Sequence, residues 1–205
     1  MGTIIVDYKM GNLHSVSRKL AKMGVEHKVS SSPKDIHAAN KIILPGVGHF
    51  SQAMKNLREM NLIDALNKAV IGNQVPVLGI CLGMQLMAKF SEEGNSGGLG
   101  WFDAEVVRFK VPDPYKTKIP HSGWNKVVLQ KSSALFNDIP ATSEYYFIHS
   151  FHFKCNNEED ALNTTVYGYN FVSAVERENI FGVQYHPEKS HLAGQKLIYN
   201  FINIL

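Results

Sequence analysis

The sequence predicts an α/β fold, a mainly parallel open sheet flanked by helices with an added antiparallel β region. Three observations lead there. Short β-rich runs alternate with helical patterns in the first half, and the run "VPVLGIC" is apolar at nearly every position, as a strand covered on both faces must be. From Trp101 to about Asn179 the texture changes to shorter β-like runs separated by turn residues, the mark of appended hairpins.

Taken in order, "TIIVD" reads as the first strand. "GNLHSVSRKLAKMG" follows as a helix, because Leu13, Val16, Leu20 and Met23 recur at helical spacing before Gly24 ends the pattern. "EHKVS" and "KIILPG" are the next strand candidates, the second entering a glycine-rich loop, "PGVGHF". A long mixed helical stretch is expected from about Ser51 to Val70, then the "VPVLGIC" strand, then a further helical pattern in "LGMQLMAKF". "AEVVRFK", "NKVVLQ", "EYYFIHSFHFKC", "NTTVYGY" and "FVSAVER" supply the antiparallel region. "IFGVQYHPEKS" gives a last strand and loop, and Leu197, Ile198, Phe201, Ile202 and Leu205 mark an amphipathic terminal helix. With neither repeat nor low-complexity linker, the chain reads as one domain, 1–205.

Composition narrows the function classes. A formal charge of +3 without any Lys/Arg-rich run gives no footing for nucleic-acid or anionic-membrane binding. The apolar run around Cys81 is too short and too glycine-broken to span a bilayer, and the start of the chain lacks a basic region followed by a long apolar core. The two cysteines, Cys81 and Cys155, form no spaced disulfide framework, so a reducing cytoplasm is the expected setting.

Chemistry is concentrated in three short stretches. Gly79-Ile80-Cys81-Leu82-Gly83, after an apolar strand and before a helical pattern, is the thiol counterpart of a nucleophile elbow, a turn so tight that its neighbours must be nearly side-chain-free. Such a turn exposes the sulfur, aims a helix N-terminus at it, and lets the Leu82 amide donate to an oxyanion. A buried structural cysteine is the competing reading. In "YHPE", Pro187 biases His186 toward extended backbone, so Glu188 can reach its imidazole and orient it as a base; a strand-end histidine beside a surface glutamate is the alternative. Pro45-Gly46-Val47-Gly48, at another strand end where ligands gather in open α/β folds, offers further amides or is simply a tight turn. His149-x-x-His152 does not suggest a metal, since residues three apart in a strand face opposite sides and no third ligand is near.

Together "DYKMGNLHSV", "LPGVGHF", "GICLGMQLM", "GLGW", "PHSGWN", "YFIHSFHF" and "GVQYHPEKS" resemble the class I (triad) glutamine amidotransferases over essentially the whole chain. Within them the chain is similar to the glutaminase-subunit family of imidazole glycerol phosphate synthase. The resemblance implies a flavodoxin-like core and a glutaminase with Cys81 as nucleophile, His186 as base and then acid, and Glu188 as orienter. It implies an oxyanion hole from the amides of Gly48 and Leu82. L-glutamine would be held by the segments of Gln85, Glu93, His149, Ser150 and Phe151. No cofactor or metal is implied. The implied partner is a separate (β/α)8-barrel synthase subunit that receives ammonia through a tunnel, with Asn12, His121, Trp124 and Lys189 at the interface; in the residues alone, Trp124 is equally a hairpin aromatic and Lys189 a solvated charge. Ser122 stands where a larger apolar residue is expected and Phe151 where tyrosine is usual, and "GLGWFDAEVVRF" with "HPEKSHLAG" is similar to paralogues that feed ammonia to surface-sugar amination. A partner-independent hydrolase and an inactive scaffold are the readings from other classes; the first needs no interface and the second tolerates loss of a triad member.

Overall fold

The computed structural model describes residues 2–113 and 115–204. β1 (Thr3–Val6) leads through a short loop to α1 (Leu13–Lys22), followed by β2 (His27–Ser30), α2 (Pro33–His37) and β3 (Lys41–Gly46). Then come α3 (Phe50–Glu59), α4 (Leu62–Asn67), a wide helical turn over Lys68–Gly72, β4 (Val77–Cys81) and α5 (Leu82–Gln85). The antiparallel region holds β5 (Phe90–Ser91), β6 (Ser96–Gly97), β7 (Ala104–Arg108), β8 (His121–Lys126), β9 (Val128–Leu129), β10 (Glu144–His149), β11 (Phe151–Cys155), β12 (Ala161–Tyr167) and β13 (Tyr169–Arg177). The chain returns to the sheet centre as β14 (Ile180–Val183) and ends on α6 (His191–Asn203). Leu205, counted above in the terminal helical pattern, lies outside the described residues.

The main sheet runs β2-β1-β3-β4-β14-β13-β11-β7-β5-β6, with β12 and β9 branching from β13. The five strands β2, β1, β3, β4 and β14 are mutually parallel, and β13 turns the direction around. Alternation along the central strands explains their unbroken apolarity. Ile4, Val6, Ile42 and Leu44 face a core closed by α2, α3 and α4, whereas Ile5, Ile43, Leu78 and Ile80 face a second core with Val16 and Leu20 of α1 and Leu197, Ile198 and Phe201 of α6. Each strand therefore has no solvent face on which to place a polar residue.

Three expectations are corrected. The helix expected over Ser51–Val70 is broken: Asn61 adopts φ 55°, a left-handed conformation that asparagine tolerates, and the chain turns there between α3 and α4. "EYYFIHSFHFKC" is two strands in different sheets, β10 pairing β8 and β11 pairing β7 and β13, with the break at Ser150. The helix after Cys81 is only four residues long, because Met87 and Ala88 close turns and the chain reaches β5 at Phe90. The helix α2, begun by Pro33 at its first turn, carries too short a pattern to stand out in the sequence.

Candidate active site

Strands β3, β4 and β14 are consecutive in the sheet, and their C-terminal ends carry Pro45–Gly48, Cys81 and the Gln184–Glu188 segment. Parallel register aligns Gly46 with Cys81 and Val183 with Ile80, so the three predicted stretches converge by topology. Cys81 has φ 54° and ψ −110°, a backbone conformation that costs a non-glycine residue free energy and persists only where its surroundings enforce it. The glycines do the enforcing. A Cβ on Gly79 would lie 2.6 Å from Met87 Cε and 2.8 Å from the Gly83 carbonyl carbon, and one on Gly83 would overlap the Leu44 carbonyl oxygen. A side chain at Gly79 would push the start of α5 away from β4, and one at Gly83 would push the elbow off β3.

The oxyanion-loop candidate is fixed from below and free above. Tyr8 donates its hydroxyl to Pro45 O at 2.7 Å, and a Cβ on Gly46 would run into that hydroxyl. Burial and then the nearby Cys81 push the Tyr8 phenol pKa upward, which keeps the donor protonated. Gly48 has φ 116° and packs so closely on Met10 that a Cβ would sit 2.7 Å from its methyl, while Val47 is exposed.

His186 and Glu188 are both buried. His186 Nδ1–H donates to Glu188 Oε1 at 2.8 Å, which leaves Nε2 as the nitrogen available for chemistry. Pro187 is decisive locally: it begins a short 3-10 turn over Pro187–Lys189 with the extended His186 as its cap, folding Glu188 back beneath the ring. Burial opposes the imidazolium, but the sulfur of Cys81 and the Glu188 carboxylate outweigh it and raise the His186 pKa to about 10. His186 Nε2 has no hydrogen-bond partner among the described residues, an open geometry of the kind that tightens when a ligand enters. The segment is anchored to the smaller sheet: His186 N donates to Tyr146 O at 2.9 Å, and Tyr146 N to Ser190 Oγ at 3.0 Å.

A cavity of about 390 Å³ opens over the sulfur, lined by Gly48, Cys81, Leu82, Gln85, Glu93, His149, Ser150, Phe151 and Lys189 among others. A larger groove of about 820 Å³ lies between α6 and the 138–143 turn, with Leu192 and Tyr199 on its wall, but neither a cysteine nor a histidine lines it. Size alone does not mark the site. Within the smaller cavity Glu93 accepts from Phe50 N at 2.8 Å, so one carboxylate oxygen is committed to the start of α3. Among the described residues no group of three or more His, Cys, Asp or Glu side chains is arranged to hold a metal, and no helix is long and apolar enough to cross a membrane.

The residues expected at a partner interface separate. In the β8–β10 pair, Ser122, Trp124 and Lys126 stand opposite Ile148, Tyr146 and Glu144, whereas His121 stands opposite His149 on the other face. Trp124 is 43 % exposed and stacks on His191 at 4.6 Å, and Lys189 Nζ, on an exposed residue, sits 5.5 Å over the Tyr146 ring. Asn12 caps α1, its Oδ1 accepting from Ser15 N at 3.2 Å, beside Gly11, whose Cβ would approach Gly46 Cα to 3.2 Å. His121 cannot belong with them: it is buried, sandwiched between Tyr167 at 3.9 Å and Phe147 at 4.6 Å. Its placement three residues from Trp124 along a strand puts it inside.

His121 instead supports the cavity wall. His149 Nδ1–H donates to Phe151 O at 2.7 Å, so its Nε2 accepts, and His121 Nδ1–H donates to it at 3.1 Å. Both rings are therefore neutral. Burial lowers the His121 pKa to about 4 and drives that of His149 well below its ordinary value.

Comparison with known proteins agrees with this architecture. The chain matches the family model "Glutamine amidotransferase class-I" over residues 4–204. It is 47 % identical over 198 residues to "Imidazole glycerol phosphate synthase subunit HisH 2" of Methanococcus maripaludis, covering 97 % of each chain. It is 43 % identical over 201 residues to "HisH 1" of Campylobacter jejuni, covering 98 % of each, and 42 % identical over 202 residues to "HisH 2" of Pseudomonas aeruginosa, covering 98 % of this chain and 99 % of the relative. Among solved structures, a glutamine amidotransferase superposes with TM-score 0.74 at 19 % identity, covering 98 % of this chain and 97 % of that one. PurLQS from Thermotoga maritima superposes with TM-score 0.72 at 16 % identity, covering 99 % of each. By sequence, sheet order and the convergence of its three signature stretches on one cavity, the chain belongs to the class I glutamine amidotransferases.

Proposed function

We propose that the chain, acting as one domain, is the glutaminase subunit of an imidazole glycerol phosphate synthase in the cytoplasm, hydrolysing L-glutamine and delivering ammonia to a (β/α)8-barrel partner that makes imidazole glycerol phosphate and AICAR. The observation that carries the reading is Cys81 on a strained elbow beside the buried His186–Glu188 pair, at the C-terminal edge of three parallel strands. The relatives named as that synthase's subunit, 42–47 % identical over nearly the whole chain, support the choice of acceptor.

The steps follow from the groups present. The Cys81 proton passes to His186 Nε2, whose positive charge Glu188 holds through Nδ1. The thiolate attacks the glutamine side-chain carboxamide carbon, and the charge that develops on its oxygen is met by the amides of Leu82 and Gly48. His186 returns the proton to the departing nitrogen, the C–N bond breaks, and ammonia leaves a thioester on Cys81. Water then gives a proton to His186 and its oxygen to the carbonyl carbon; expulsion of the sulfur releases glutamate. The α-amino and α-carboxylate groups are held along the cavity wall of Gln85, Glu93 and the β10–β11 break at His149–Phe151.

In this reading the barrel partner docks on the outward face of the β8–β10 pair, with Asn12 at the neighbouring loop, supported by the exposure of Trp124 and Ile148 there and by Lys189 over Tyr146. The test is glutamate release by the chain alone, with a histidine-pathway barrel, and with barrel plus acceptor. Stimulation by that barrel is expected. A second reading, ammonia supply to surface-sugar amination, is favoured by the "GLGWFDAEVVRF" and "HPEKSHLAG" stretches, which are similar to subunits serving that chemistry. Stimulation only by a sugar-pathway partner would move the assignment there.

A further inference from the structure

We infer that Gln184 is a catalytic residue of this site: its side-chain N–H donates to the Cys81 sulfur and favours the thiolate, with Gln85 and the Phe151 carbonyl fixing the amide in that orientation. The assignment rests on the reading of Cys81 as nucleophile. Gln184 is fully buried just beyond the end of β14, where its backbone N–H still joins the ladder to Ser173 O at 2.9 Å. Its Nε2 lies 3.6 Å from Cys81 Sγ, within reach of an N–H to sulfur bond.

The direction of the amide follows from a chain of acceptors. Phe151 O can only accept, so Gln85 must present its nitrogen there, at 3.1 Å; the second hydrogen of the same nitrogen donates to Gln184 Oε1 at 3.0 Å. With Oε1 so engaged, Nε2 of Gln184 must face the sulfur. His149 Nδ1–H, donating to the same Phe151 oxygen at 2.7 Å, holds the carbonyl in place.

The bland alternative is a buried glutamine that merely satisfies itself against Gln85. It accounts for Oε1 but leaves the amide nitrogen buried against a neutral thiol, a weak acceptor. Against a thiolate the same contact is charge-assisted and about twice as strong as a neutral one. The site has need of such a donor. The helix α5 that begins at the elbow has four residues, so few peptide dipoles align behind the sulfur. The other titratable groups around the sulfur are Tyr8, whose hydroxyl is committed to Pro45 O, His186 backed by Glu188, neutral His149, and Glu93 and Lys189 along the cavity. Among the described residues Gln184 is the side chain that donates to the sulfur, while Cys81 Sγ is 4.0 Å from Ile148 O, the acceptor to which its weak S–H donor would turn as a thiol. The thiol proton moves to His186 Nε2, breaking S–H and forming N–H.

The experiment follows the rate of Cys81 alkylation by iodoacetamide against pH, in a Cys155→Ser background that removes the second thiol. Gln184→Leu is expected to slow alkylation at neutral pH by about 10- to 100-fold, the worth of a hydrogen bond to a charged group, with the alkaline plateau unchanged. Gln184→Glu, which keeps the shape but places a carboxylate at the sulfur, should move the midpoint further toward alkali. Gln85→Leu, which frees the amide to turn, should shift it part of the way. A purely structural Gln184 would lower the unfolding temperature and leave the midpoint alone, and that result in the Leu variant overturns the assignment. Where Gln184→Leu fails to fold, Gln184→Met, which keeps the length of the side chain but has no N–H to donate, decides by the same profile. Glutamate release by Cys81→Ala separates the two readings: persistence sinks the nucleophile itself, whereas loss of release combined with an unmoved Gln184 profile sinks only the inference about Gln184.

Discussion

At the scale of single residues, the triad positions make unequal predictions. Cys81→Ala should abolish glutamine-dependent turnover yet leave ammonia-dependent synthesis by the assembled complex intact, because the thiol serves only ammonia production; loss of both in an assembled complex would contradict the division of labour. His186→Ala removes the group that carries the proton between sulfur, nitrogen and water in the proposed mechanism, and should cost glutamate release on the order of 10⁴-fold or more. Glu188→Gln keeps an oxygen that can accept from His186 Nδ1–H but removes the charge beneath it, and should cost less, about 10-fold, the difference between a charge-assisted and a neutral hydrogen bond. A Glu188→Gln variant as inert as His186→Ala, with its fold intact, would assign the carboxylate a direct proton-transfer role.

At the scale of elements, the elbow is enforced by packing, so its tolerance can be measured against a control. Gly83→Ala drives a methyl into the Leu44 carbonyl on β3 and should cost about 3 kcal/mol or more by chemical denaturation. Gly72→Ala, at a position with open space around a built Cβ, should be neutral or slightly stabilising. The same contrast explains what could be read from the sequence. Covered strands announce themselves by unbroken apolarity, and Gly79-Ile80-Cys81-Leu82-Gly83 by paired glycines. The break at Asn61 does not, since an asparagine inside an amphipathic pattern is ordinary until its φ is known. Ser150 gives no hint that the chain changes sheets there, for which hydrogen-bond partners far along the chain are responsible. Gln184 was likewise silent: only its spacing of two from His186 could have drawn attention to it. His121 was placed on the wrong face because its distance of three from Trp124 matters only once both are known to lie in one strand.

At the scale of the whole molecule, the buried histidines set an acid limit on stability. His121, His149 and His152 are held neutral by burial, with folded pKa values below those of the unfolded chain. The unfolded chain therefore binds more protons. Their contribution is complete above about pH 6.5, the ordinary histidine value, and is lost as pH falls toward the His121 value of about 4. Unfolding free energy should fall through that window, and His121→Gln should make the slope shallower by one proton's share, about 1.4 kcal/mol per pH unit; an unchanged slope would mean that His121 titrates normally. The outward face of the same β8–β10 pair supports the coupling prediction. Trp124→Ala or Lys189→Ala should lower barrel-stimulated glutamate release more than it alters glutamine binding, because Trp124 stacks on His191 and Lys189, which also lines the cavity, extends over the Tyr146 ring on the outward face. Equal losses in both quantities would place them in the binding site.

The position of Gln184 and His186 just past β14 has a consequence for how this chain can vary in length. Donor and base leave the same strand two residues apart, and both are measured against a sulfur on the neighbouring strand. Their spacing to Cys81 thus behaves like a reading frame. One residue inserted after Val183 would displace both groups in a single event, and no side-chain substitution could restore either. The exposed turn at Ala141–Thr142 has no such frame to keep. Length polymorphism in functional relatives should collect at turns of that kind and stop short of the Val183–Glu188 segment, a boundary that a scan of single-residue insertions, selected for growth in medium lacking the pathway's end product, would map directly.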